Sequence, residues 1–161
     1  MRGTALPAAL LCVALGLGLA SARGKTVVLG LAVLVVTASA VALAPVPESW
    51  SDIVLLGCWM SITANTAIVY APRILQDKPA LALSLNAGVW TGALIALGPS
   101  KLGLIHALPF SLCAWPGAWA RLRGAAIGLK VLASWLIGVA VLAATLQFLP
   151  ATAGYLPDHM D

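Results

Sequence analysis

The residues of this chain that could do chemistry are few and scattered. It holds three cysteines and two histidines in 161 residues. Cys12, Cys58 and Cys113 each fall singly in an apolar run, with no CxxC and no Cys/His cluster. An odd, dispersed set neither frames a disulfide scaffold nor chelates zinc, so these thiols read as small apolar packing groups. His106 and Ser111 form the nearest Ser/His pair for acyl transfer, but five places apart they do not share a helix face. Neither a phosphate loop nor an HExxH motif is present. Asp158, His159 and Asp161 are metal-type ligands. They stand on a short terminal tail with nothing to hold them in a coordination geometry. No catalytic residue, no metal site and no enzymatic activity are therefore expected.

The elements that carry these residues explain the scarcity. Hydrophobic residues make up 61% of the chain and charged residues only 9%. Mean hydropathy is +1.02. Soluble domains run near a quarter charged, so a soluble globule, a disordered chain and a nucleic-acid-binding module are all disfavoured. Six stretches are long and apolar enough to cross a bilayer, which takes about 17–25 residues. They are Thr4–Ala22, Thr26–Ala44, Ile53–Ala71, Ala80–Gly98, Leu102–Ala120 and Ala126–Leu149, followed by a short tail over 150–161. Lipid offers no partner to backbone N–H and C=O groups, so each span must be helical. The expected fold is all-α: a single-domain polytopic integral membrane bundle over 1–161, with short loops broken by Pro and Gly.

The charges orient that bundle. If the spans alternate, one side collects Arg23, Lys25, Arg73, Lys78, Arg121 and Arg123, with Lys130 just inside the last span. The other side holds only Arg2 and Lys101, together with Glu48, Asp52, Asp158 and Asp161. Cytoplasmic loops carry the excess of Lys and Arg. Both termini are then expected outside, and the bilayer to be a bacterial inner membrane. A competing reading takes residues 1–22 as a signal peptide cleaved after Ala20-Ser21-Ala22. Cleavage would put Arg73, Lys78, Arg121 and Arg123 outside and invert the charge rule.

Within the spans, a few residues could carry function. The fourth span repeats small residues every four places: Ala80, Ser84, Gly88, Gly92 and Ala96. Such a stripe lets another helix approach closely. Either a partner or a neighbouring span of this chain could use it. Ala8, Cys12, Gly16 and Ala20 repeat the pattern in the first span. The third span is the most polar, with Ser61, Thr63, Asn65 and Thr66. Asn65 lies six residues before Ala71 and Asn86 six after Ala80. The two amides are expected at similar depth, either lining a polar solute site or clamping two helices together.

Pro109 and Pro116 interrupt the fifth span, as in helices that line transporter sites. His106 on that span is the one cofactor candidate. No second span carries a histidine, so a haem there would borrow its other ligand from elsewhere. Lys130 can snorkel to the interface or hold an anion. Trp59, Trp90 and Trp135 sit inside spans, where packing or stacking on a pigment or quinone would place them. No acid lies within a span, which disfavours proton relays and ion-coupled pumps.

These features are expected of a non-catalytic subunit or stabilising factor of a larger inner-membrane complex. Its partners would be the lipid bilayer and other membrane subunits or further copies of itself, not nucleic acid. No cofactor is required by that reading. A small channel or facilitator for a neutral or weakly charged solute is the alternative, as is a redox anchor holding haem or quinone.

Overall fold

The computed structural model describes residues 5–72, 75, 77–98 and 102–148. Every regular element among them is helical. α1 covers Ala5–Leu19, α2 Gly24–Ala42, α3 Ser51–Ala67, α4 Asp77–Leu97, α5 Gly103–Ala107, α6 Ala114–Leu122 and α7 Ala126–Leu146. A 3-10 turn over Glu48–Trp50 leads into α3 and another over Ile68–Tyr70 extends it. A third over Leu108–Cys113 joins α5 to α6.

Four helical stretches are long and apolar enough to cross a membrane: Gly24–Ala42, Glu48–Tyr70, Asp77–Leu97 and Ala126–Leu146. Two of the six expected spans differ. Over the described residues the first is a helix of 15 residues, about 22 Å long at ~1.5 Å per residue. The fifth, Leu102–Ala120, is not one helix but α5, a 3-10 segment and α6 in series. Pro109 opens the 3-10 segment, where its missing N–H removes an α-helical hydrogen bond. Pro116 lies in the first turn of α6, where a helix tolerates proline.

α1 sits at the centre. It is apolar on every side, with no polar face to turn outward. From Ala8 to Ala20, residues on all its faces are buried, among them Leu11, Cys12, Ala14, Leu15, Leu17 and Leu19. It touches α3, α4, the whole α5–α6 segment and α7. Small residues make this possible: a Cβ on Gly16 would lie 2.8 Å from the Ser111 carbonyl oxygen. One on Gly18 would lie 3.0 Å from that of Asn65.

The closest helix pair is α2 with α4. The two run parallel, with Gly30 beside Ser84, Thr37 beside Gly88, and Ala38 and Val41 beside Gly92. A Cβ on Gly92 would stand 2.6 Å from the Ala38 carbonyl oxygen, and one on Gly88 would overlap the Thr37 hydroxyl. At the start of both helices the Thr26 hydroxyl donates to the Asp77 carboxylate. That carboxylate is in the first turn of α4, where it also complements the helix dipole.

α7 docks on α1 and α3 along Leu129, Ala133, Leu136 and Ala140, a stripe three to four residues apart. The turn into it is closed by Gly124 at φ +82, the left-handed position that glycine takes without a Cβ penalty. Ala125 N–H donates to the Ala120 carbonyl at 2.9 Å and Gly124 N–H to that of Arg121 at 3.1 Å. That pair of bonds is the Schellman ending of α6.

The α2–α4 seam predicts its own test. Gly88→Val forces Thr37 and the α2 backbone apart and should cost about 1–3 kcal/mol. Gly138→Val, on α7 with nothing within 4 Å of the new Cβ, should stay within about 0.5 kcal/mol of the parent. Thermal unfolding of the purified chain in mild detergent separates the two. Equal midpoints for both variants would contradict the seam.

Candidate functional site

The polar residues of the third and fourth expected spans meet between α3 and α4, next to α1. Ser61 is their junction. Its hydroxyl accepts a hydrogen bond from Asn86 Nδ2 at 2.7 Å. Its backbone carbonyl accepts one from Asn65 Nδ2 at 2.8 Å. Asn86 Oδ1 in turn accepts from Trp90 Nε1, one turn further along α4, at 3.0 Å. The Trp90 ring lies where a Cβ on Gly57 would be, so the absence of a side chain at Gly57 seats the indole against α3.

The two asparagines therefore do not bond to one another. Equal counts from the expected span ends placed them at one depth, but the helices begin and end elsewhere. α3 passes into a 3-10 turn after Ala67, and α4 starts at Asp77 rather than Ala80. Asn86 is level with Ser61, one turn before Asn65. The cross-helix bond is amide to hydroxyl, and Asn65 is occupied by its own helix.

The remaining hydroxyls follow a common pattern. Thr63 donates to the Trp59 carbonyl at 3.1 Å, Thr66 to that of Ile62 at 2.7 Å and Ser84 to that of Ala80 at 2.9 Å. Each is a bond to the preceding turn, the cheapest way to satisfy a hydroxyl away from water. Among the described residues, enclosed Asn65 Oδ1 has no hydrogen-bond partner, and Thr91 Oγ1 has the Cys12 thiol beside it as its one polar neighbour. Both residues are buried, Asn65 at 1% exposure.

The other expected sites lie apart from this cluster. His106 is exposed on α5, with Nδ1 2.9 Å from the Leu102 carbonyl oxygen. Lys130 is exposed on the first turns of α7, and its backbone carbonyl accepts from the Tyr70 hydroxyl at 2.7 Å. Ser84, Gly88 and Gly92 face α2 and Ala96 is half-buried at the end of that stripe. No cluster of three or more metal-type ligands occurs among the described residues. Asp158, His159 and Asp161 lie outside those residues, as do Arg73 and Lys101.

Two features were not singled out from sequence. Trp135, grouped there with packing residues, is 59% exposed and lies near the middle of α7. Its face also carries Val131, Leu132 and Leu142, all outward. The sequence carried one cue to the outward side of α7: Lys130, Ser134 and Gly138 repeat every four residues, and all three are exposed. Arg123 stacks over Trp119, 3.9 Å from the ring centroid, just past the end of α6. That cation–π contact fixes a basic side chain over an exposed aromatic ring.

The geometry gives Ser61 and Asn86 a measurable link. A double-mutant cycle of Ser61→Ala and Asn86→Leu should yield a coupling near 0.6 kcal/mol, within the ~1.7 kcal/mol ceiling seen between membrane helices. Asn86→Leu should also shift Trp90 fluorescence, since the indole loses its acceptor. Additive single-variant effects with an unmoved spectrum would refute the link.

Comparison with protein-family models, with curated proteins and with solved structures finds no match for this chain.

Proposed function

We propose that the chain is a non-catalytic integral membrane subunit or stabilising factor, seated in a bacterial inner membrane and presenting α7 to a protein partner. The reading takes six crossings, with the broken α5–α6 segment counted as one, and both ends outside. The distribution of Arg and Lys supports that orientation.

Trp135 carries the proposal. Tryptophan favours the membrane interface, where its N–H meets water or headgroups. Here it stands at mid-helix, turned outward, and its indole N–H has no acceptor among the described residues. In hydrocarbon an unmet donor is costly, whereas a partner helix can supply both an acceptor and a surface. α7 is otherwise open on that side: only 22% of its apolar window is buried, against 50% for the spans of α3 and α4. Ser134 and Gly138 continue the outward surface, with open space at Gly138.

A photo-crosslinking residue at position 135 tests this in intact membranes. The expected outcome is one defined protein adduct that also co-purifies with the full chain in mild detergent. Adducts to lipid alone, with a lone monodisperse particle after purification, would remove the reading.

A second reading, a facilitator for a neutral solute, draws support from the enclosed, unanswered Asn65 Oδ1. It differs from the first in requiring flux through the chain itself.

A further inference from the structure

Two apolar hollows lie on the outer face of α2, and they share Val28 and Ala32. One, of about 560 Å³, begins at Gly24 and Lys25. The other, of about 430 Å³, continues as far as Val36 and is walled on its far side by Leu112 and Trp115. Together they form one shallow, open trough along α2 with a cationic end. That far wall exists because the α5–α6 segment is broken: Leu112 belongs to its 3-10 part and Trp115 to the first turn of α6.

We propose that this trough binds one anionic phospholipid, its phosphate at Lys25 and an acyl chain lying along Val28–Val36 against Leu112 and Trp115. The dimensions agree. From Lys25 to Val36 the helix rises about 16 Å, close to half of a ~30 Å hydrocarbon core, the depth of a single leaflet.

The charge agrees as well. The N-cap of α2 is Arg23, a cation with no acceptor to cap the first-turn N–H groups, and a helix start of that kind favours an anion. Gly24 has nothing within 4 Å of a Cβ position, so a phosphate oxygen can reach that backbone. Arg23 also lines an adjoining polar cleft of about 660 Å³ with Ser21 and Lys78, room for a headgroup. Asp77 in that cleft accepts a hydrogen bond from Thr26.

The proposal rests on the chain being embedded in a bilayer and is independent of a partner at α7. Its test uses the purified full chain, with native mass spectrometry of adducts formed on titration with phosphatidylglycerol or phosphatidylcholine. Phosphatidylglycerol should bind about fivefold more tightly, the contribution of one basic side chain at a membrane surface. Lys25→Glu, an exposed change, should erase that preference while leaving helix content and melting midpoint unchanged. Ala32→Trp should fill the trough and reduce adducts of both lipids.

Equal binding of the two lipids, or a preference that survives Lys25→Glu, would overturn the proposal. So would a photo-crosslinker at position 32 that captures a protein helix instead of lipid. Failure of the chain to float with vesicles would overturn it together with the membrane reading. Loss of the adduct at position 135 would leave it standing.

Discussion

An apolar helix with no polar face must be surrounded by lipid or by other helices, and α1 takes the second course, enclosed almost completely by the rest of the bundle. Its residues are Ala, Leu, Gly, Val, Cys and one Pro, so no direction is suited to water. Its 15 described residues are also short against a hydrocarbon core of ~30 Å. Protein on every side removes that mismatch, because α1 then need not match lipid at all. The α5–α6 segment runs beside it, Gly117 bringing its backbone to Ala20, where a Cβ would lie 2.9 Å from that methyl. α3 and α4 close other sides, and α7 reaches it through Leu17 and Val13. The peripheral helices take their positions from this contact.

Enclosure sets the terms for polar groups. A hydroxyl or amide in the α1–α3–α4 core must be answered locally, and nearly all are, by the preceding helical turn or by one cross-helix bond through Ser61. Such bonds cost the bundle little and leave few groups for chemistry. The outer faces of α2 and α7 are the ones that no other described residues cover, and the proposed contacts are placed there. The first is concave and cationic at one end. The second is flat, apolar and interrupted by a mid-helix indole.

How much of this was legible beforehand differed by feature. Helical class and the α2, α3, α4 and α7 spans follow from continuous apolar runs, which leave a backbone no other way to satisfy itself. The small-residue stripe on α4 was legible as a surface for close approach. Its neighbour, α2, was not, because spacing specifies a shape and not a partner. Pro109 and Pro116 were visible as breakers, yet hydropathy counts residues without regard to hydrogen bonds, and so it reported an unbroken fifth span. The depth of Asn65 and Asn86 depended on helix ends misplaced by several residues. Trp135 was grouped with packing residues because its neighbours are apolar, although the exposed Lys130 and Ser134 mark the outward side of α7.

The charge pattern and the central place of α1 bear on the same question, whether residues 1–22 stay with the chain. Cleavage after Ala22 would take away the helix around which the others are packed. Intact-mass measurement of the protein extracted from its native membrane, paired with its melting midpoint, decides this most directly. The structure predicts a mass that includes α1 and a single cooperative transition. A mature chain beginning at Arg23 that melts just as cooperatively would contradict it.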